Sequence, residues 1–194
     1  MRQTAPVRSP FLYFADERLS RAELTAACLD GDLVALGDAY IPADAVETAA
    51  LRAGSLAETL GDTLAATHLS AAWVHGGLLL PPSRHTVQRG VPRRLHVRPD
   101  RRVVYRDLQV PGDDLQLVGG VLVTTPERTL ADLARVGDDE HTAAARLLAE
   151  IDADAAYQAI ARLEAGALPH KRAALACLRA LVEERQDEVT RYTS

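Results

Sequence analysis

The chain has 194 residues, of which 47% are hydrophobic, so it can form a real core as one sizeable domain or two small ones. No stretch approaches the roughly 18 apolar residues that a membrane span needs, and no secretory signal pattern opens the sequence. Cys28 and Cys177 lie far apart in helix-like surroundings typical of buried thiols, so we expect a soluble protein of the reducing cytoplasm.

Residues 19–45 have the pattern of a helix followed by a tight hairpin. Ser20 and Glu23 form a capping box, and Gly31 ends the predicted helix. Strand-like runs at residues 33–36 and 39–41 then follow on either side of a two-residue turn. A helix with a hairpin directly behind it is the second half of a winged helix. We therefore predict a reduced winged-helix-like head over residues 1–46, incomplete because only SPFLYFADER precedes the helix.

The head offers a small set of candidate nucleic-acid contacts. Arg18 and Arg21 stand at the start of the helix and Thr25 lies one turn on, where a recognition helix faces the major groove. Ser20 is better explained as a cap, and Tyr40 as a packing residue. Residues 1–46 hold four arginines against seven acids, a balance unfavourable for contact with phosphates.

The sequence after the head is predicted to be helical again, and Asp44 with Glu47 resembles a second capping pair. We expect Gly54 and Gly61 to interrupt this helical segment. A short strand or turn then leads into a helix around residues 70–75, where Trp73 is predicted to be core and His75 to have a structural role.

A small central sheet is predicted from three β-branched runs at residues 103–105, 115–118 and 121–124. Thr125 is a good N-cap for the helix that follows, and Pro126 suits its first position. The apolar spacing predicts that Leu130, Leu133 and Ala134 of this helix face inward. Beyond Gly137 apolar residues recur at three- and four-residue intervals. The fold class predicted is α+β, with the reduced winged-helix-like head, a small central β-sheet and a helical carboxy-terminal part.

Positive charge is concentrated in residues 84–106, here called the basic segment. It holds eight arginines and one acid, Asp100, whereas the rest of the chain carries 14 basic and 26 acidic residues. The arginines alternate with valine and leucine, so strands could place several of them on one exposed face. These candidates for nucleic-acid binding are Arg84, Arg89, Arg93, Arg94, Arg98, Arg101, Arg102 and Arg106.

Three interpretations of the basic segment remain open. Its guanidinium groups could bind phosphates, because arginine pairs with phosphate in a bidentate manner. They could equally bind an acidic partner protein, since carboxylate offers the same geometry. In the third interpretation they pair with the protein's own carboxylates, such as Asp107, Asp113 and Asp114.

The sequence gives no support for catalysis, a metal or a cofactor. His68 and His75 are seven residues apart, not the four that place two imidazoles on one turn of a helix. The only lysine, Lys171, belongs to no phosphate-binding loop. Ser70, His75 and Asp62 could form a hydrolase triad in principle, but no G-x-S-x-G motif accompanies them.

The motifs SAAWVHGG and GGVLVTTPERTLADLAR, with the basic β-rich stretch between them, resemble the AbiEi-type antitoxin family of bacterial transcriptional regulators, especially its actinobacterial members. The resemblance covers residues 19–135, and LVTTPERTLADLA is its most distinctive part. It implies a winged-helix head, an antitoxin domain over residues 47–194, repression of the protein's own operon, and a nucleotidyltransferase-like toxin as partner. We also expect a homodimer on DNA, no membrane partner, and no catalysis by the protein itself.

Overall fold

The computed structural model describes residues 10–16, 18–96 and 100–192 of the chain. The described helices are α1 (Arg21–Asp30), α2 (Ala49–Ser55), α3 (Ala57–Leu60), α4 (His68–Val74), α5 (Pro126–Val136), α6 (Asp139–Ile151), α7 (Ala153–Ala165) and α8 (Lys171–Tyr192). The described strands are β1 (Leu33–Leu36), β2 (Ala39–Pro42), β3 (Leu64–Ala66), β4 (His85–Arg89), β5 (Val103–Gln109), β6 (Leu115–Val118) and β7 (Val121–Thr124). This confirms an α+β fold with a small sheet and a helical carboxy-terminal part.

The head contains the predicted helix and hairpin. The Ser20 side chain accepts a hydrogen bond from the backbone N–H of Glu23, whose carboxylate accepts from the backbone N–H of Ser20, so the capping box is confirmed. Gly31 ends α1 in the left-handed conformation at a φ of 84°. Strands β1 and β2 pair antiparallel, and Tyr13 forms an isolated bridge with Tyr40. No helix precedes α1 within residues 10–16 and 18–20.

The predicted start of α2 was wrong. Asp44 and Glu47 precede the helix, and its N-cap is Thr48, whose hydroxyl accepts from the backbone N–H of Leu51 at 3.3 Å. The Asp44 region is instead a turn behind the hairpin, and Glu47 forms an ion pair with Arg52. An N-cap side chain needs a free backbone N–H three residues further along the chain. Because Asp44 lies in a turn, the first residue that meets this condition is Thr48, four residues later.

The two glycines expected to interrupt this region behave differently. Gly61 ends α3 as predicted. Gly54 lies inside α2 and is buried. A Cβ at this position would come within 2.7 Å of the Leu12 side chain. Gly54 therefore permits close packing and does not break the helix.

The five-stranded sheet has the order β5-β4-β3-β7-β6. Strand β3 is central, antiparallel to β4 and parallel to β7. Strand β5 runs parallel to β4 at one edge, and β6 forms a hairpin with β7 at the other. Strand β4 was not among the predicted runs. Its pairing places the first half of the basic segment next to the second half.

Two hydrophobic clusters form the core. The first contains Leu12, Phe14 and Ile41 of the head together with Trp73 and Val87 of the central part. Because apolar residues on both sides of residue 46 share one cluster, the head packs on the sheet side of the protein. A division into domains at residue 46 stays a prediction.

The second cluster joins the carboxy-terminal helices to α4. Its fully buried members include Leu130 and Leu133 of α5, as predicted from the apolar spacing. Leu148, Leu163 and Leu178 meet them from α6, α7 and α8. Helix α5 therefore lies at the centre of the helical layer.

The Gly119-Gly120 turn of the β6–β7 hairpin rests against α2. Both glycines have positive φ, 55° and 83°, as a two-residue turn with matching twist requires. A Cβ at position 119 would lie only 2.1 Å from the carbonyl oxygen of Ala50, whereas one at position 120 would meet nothing within 4 Å.

We expect Gly119→Ala to destabilise the protein strongly, with Gly120→Ala as the matched control. The control adds only left-handed strain, about 1 kcal/mol. Gly119→Ala should lower the free energy of unfolding by about 1 to 3 kcal/mol more, because backbone of α2 must move. Urea denaturation measures both values, and equal losses would contradict the close contact.

Candidate nucleic-acid interface

The candidate residues of the head lie on the exposed side of α1. Arg18, Arg21 and Thr25 are all exposed, and Leu24 is the residue that α1 buries. The Thr25 hydroxyl donates to the carbonyl oxygen of Arg21 at 2.8 Å, a bond within the helix that leaves the side chain at the surface. The face of α1 opposite Leu24 is thus free to meet a ligand.

Arg89 uses its guanidinium group for contacts within the protein. Its side chain is 11% exposed, its Nε lies 2.8 Å from Asp107 Oδ1, and its Nη1 donates to the carbonyl oxygen of Pro92 at 2.8 Å. It therefore holds the loop after β4 against β5. Asp114, another of the three carboxylates proposed as internal partners, pairs instead with Arg128 and Arg162, which lie outside the basic segment.

Three arginines of the basic segment project into solvent. Arg93, Arg94 and Arg101 are exposed, and their side chains make no ion pair or hydrogen bond with any residue the structure describes. Arg84 is also exposed and donates to the carbonyl oxygen of Val103 at 3.1 Å. Arg98 lies outside the described residues.

An ion pair joins the basic segment to the head. Arg102 Nη1 lies 3.0 Å from Asp38 Oδ1 at the hairpin turn, and Asp38 also accepts from the Thr59 hydroxyl. A depression of about 420 Å³ opens beside this pair, and Arg21 of α1 lines it together with Arg102. Two groups of candidates that are far apart in the sequence thus meet on one surface. Three acidic side chains, Asp38, Glu58 and Asp100, line this depression beside the two arginines, so its lining is slightly net negative.

Arg106 points toward a different part of the molecule. Its Nη1 donates to His68 Nε2 at 3.0 Å, so that nitrogen carries a lone pair. The proton of His68 is therefore on Nδ1, which lies 3.0 Å from the Thr67 hydroxyl. Burial lowers the pKa of His68 to about 4, and the charge of Arg106 contributes to this shift, so the imidazole is neutral near pH 7.

The sequence interpretation missed a buried network of charged residues beneath Arg106. Asp114 and Asp132 are 1% and 3% exposed, and Arg128 bridges them, with its Nε 2.8 Å from Asp132 Oδ2. Arg135 Nη1 lies 3.2 Å from Asp132 Oδ1, and Arg162 neutralises Asp114. The available signal was the spacing in PERTLADLAR, which puts arginines four residues before and three after Asp132 on one helical face.

Two residues of the notional hydrolase triad have other roles. His75 Nε2 donates to the carbonyl oxygen of Thr124 at 2.8 Å, which confirms its structural role. Ser70 accepts from the backbone N–H of Thr86 at 2.9 Å and lies 3.1 Å from His85 Nδ1. Within the described ranges, no cluster of three or more His, Cys, Asp or Glu side chains could hold a metal ion.

The fold and the surface together define a class of protein: an α+β protein with an exposed helix and hairpin beside an arginine-rich sheet edge. The family model of the AbiEi antitoxin C-terminal domain matches residues 64–184, well over half of the chain. The chain therefore belongs to the AbiEi antitoxin family, as its motifs indicated, and has the role of an antitoxin. No curated protein matches the chain. None of the described helices is long and apolar enough to cross a membrane.

The low pKa of His68 makes stability depend on pH. In the unfolded chain His68 binds a proton near pH 6.5, and in the folded chain it does so only near pH 4. The stability contributed by the neutral imidazole is therefore fully present above pH 6.5 and is lost as the pH falls toward 4. We expect the free energy of unfolding to fall between pH 7 and pH 5 by about 2 kcal/mol more than in His68→Asn.

Asparagine is a suitable replacement because it tolerates the φ of 51° at this position and does not titrate. His75 and His85, whose pKa values are also lowered by burial, are present in both proteins and cancel in the comparison. Urea denaturation at the two pH values provides the measurement. Parallel losses in the two proteins would show that His68 does not titrate in this range.

Proposed function

We propose that this antitoxin binds DNA of its own operon and represses it, and that it neutralises a nucleotidyltransferase-like toxin. The ion pair between Arg102 and Asp38 carries this proposal. It joins the hairpin of the head to the basic segment, so that a duplex lying across the pair could touch both. Family membership supports the antitoxin role independently.

The two parts of this surface have different tasks in the proposal. Arg93, Arg94 and Arg101 neutralise phosphates, since they are exposed and have no partner among the described side chains. The head is net negative and contributes little to that attraction. Its exposed residues Arg18, Arg21 and Thr25 set the register of α1 in the groove. Arg84, Arg98 and Arg102 extend the phosphate contact.

A homodimer would double the contact. Winged-helix and helix-turn-helix repressors place two heads on half-sites about one helical turn apart, so the symmetry of the operator mirrors that of the protein. The alternative function is that of an adaptor that uses the basic segment on an acidic partner protein and does not bind DNA. Direct titration with DNA separates the two.

We expect fluorescence anisotropy to show tighter binding to a labelled duplex from upstream of the protein's own gene than to a scrambled duplex. The preference should hold at low and at near-physiological salt. If neither duplex binds even at low salt, the proposal fails and the adaptor function is favoured.

The double variant Arg93→Ala with Arg94→Ala should weaken binding to both duplexes to a similar degree. It should also lower the slope of log K against log salt by about 2, because each lost phosphate contact contributes about 0.9. The matched control removes two arginines from α8, Arg172→Ala with Arg179→Ala, and should leave affinity and slope unchanged. Unchanged DNA affinity in the first variant would refute its role in phosphate binding.

Neutralisation of the toxin has its own test. Expression of a nucleotidyltransferase-like protein encoded beside this chain should arrest growth, and co-expression of this chain should restore it. Continued arrest, with both proteins present, would contradict the toxin part of the proposal and leave the DNA part standing.

A further inference from the structure

A polar cleft of about 370 Å³ opens between the sheet and α5, apart from the surface assigned to DNA. Its walls include His68, Gln88 and Arg106 from the sheet side, and Arg128, Asp132 and Arg135 from α5. A volume of this size lies within the range of small-molecule sites in proteins.

The cleft has a surplus of positive charge. Three arginines and one carboxylate line it, and the second buried carboxylate, Asp114, is neutralised by Arg162 behind the wall. His68 adds no charge near neutral pH, because its Nε2 accepts from Arg106. An anion that enters the cleft therefore meets about two uncompensated positive charges at close range.

Two of the arginines retain free donors. Arg106 uses Nη1 on His68, and Arg135 uses Nε on the Pro169 carbonyl oxygen and Nη1 on Asp132. The remaining guanidinium N–H groups, among them those on Nη2 of both residues, have no partner in the part of the chain that the structure describes. Arg106 is anchored by one bond and Arg135 by two, and both keep donors for a ligand, which is the arrangement that binds phosphate oxygens well.

Gln88 gives an independent indication of a ligand. Its side chain is 3% exposed and lines the cleft, yet its Oε1 has no hydrogen-bond partner. A buried amide oxygen without a partner costs stability. A ligand group with an N–H would satisfy it, and a glutamine amide is well suited to the edge of a nucleobase.

We infer that this cleft binds a nucleoside monophosphate, either free or as the 5′-terminal nucleotide of a single strand. Arg106 and Arg135 hold the phosphate, and Gln88 contacts the base. The exposed apolar side chains of Leu108 and Val136 lie at the same cleft and cover the face of the ring. This inference does not rest on duplex recognition, so its failure and that of the proposed function are distinguishable.

Calorimetric titration of the full chain tests the inference with the four nucleoside monophosphates, inorganic phosphate and adenosine as probes. We expect at least one monophosphate to bind, inorganic phosphate to bind more weakly, and adenosine to give no measurable heat. Arg106→Ala should weaken the monophosphate by about tenfold or more, since it removes charge-assisted hydrogen bonds. The matched control is Arg179→Ala, an exposed arginine of α8 outside the cleft, which should change affinity by less than about twofold.

Gln88→Leu separates a binding role from a structural one. It replaces the unpartnered amide by an apolar group of similar size, so the melting temperature of the unliganded protein should not fall. The variant should bind the monophosphate more weakly and inorganic phosphate as well as before. Equal weakening of both probes would overturn the assignment of Gln88 to the base.

The source of the nucleotide follows from a second pair of probes. A single-stranded oligonucleotide with a 5′-phosphate is compared with the same strand lacking it. Binding that needs both the phosphate and Arg106 assigns the site to a strand end, whereas binding of the free monophosphate alone assigns it to a soluble nucleotide. The inference is overturned if no probe binds at millimolar concentration, or if Arg106→Ala and Arg179→Ala weaken binding equally.

Discussion

Trp73 lies where the head, α2 and the central sheet meet, and its burial sets how they are arranged. The side chain is fully buried, and its ring centroid is 6.1 Å from that of His85 on β4. The backbone carbonyl oxygen of Trp73 accepts a hydrogen bond from Arg52 at 2.7 Å. The hairpin approaches so closely that a Cβ on Gly37 would lie 3.1 Å from the indole. A large aromatic side chain in a dense core leaves few alternative arrangements. The pairing of Arg102 with Asp38, the next residue after Gly37, follows from this packing.

Arginine has two opposite uses in this chain. Arg89 and Arg128 are largely withdrawn from water and pair with carboxylates, whereas Arg93 and Arg94 face solvent. Buried carboxylates such as Asp132 require such partners, because an unpaired charge in a core is very costly. Composition alone counts all of these arginines as equal. Only their place in the fold separates the residues that support the structure from those free to meet a ligand.

Features set by neighbours in the chain were the predictable ones. The capping box at Ser20, the hairpin after it and the inward face of α5 follow from spacing over a few residues, and the structure confirms them. The position of Thr48, the burial of Gly54 and the cleft around Gln88 depend on contacts between distant segments. Strand β4 shows the same limit, because β3 on one side and β5 on the other define it. The motifs indicated the family, which the match over residues 64–184 confirms, whereas the pairing of Arg128 with Asp114 depends on a contact between distant segments.

Strand β5 is an edge of the sheet, and one side of its backbone has no neighbouring strand among the described elements. Exposed edges attract strands of other molecules, and natural proteins often prevent this by placing charges there. Arg106 and Asp107 lie within β5, and Arg101 and Arg102 directly precede it. A copy of the same strand that added in parallel and in register would bring like charges together at the point of pairing. The arginines that give this surface its charge thereby also oppose the in-register pairing of two copies through their sheet edges.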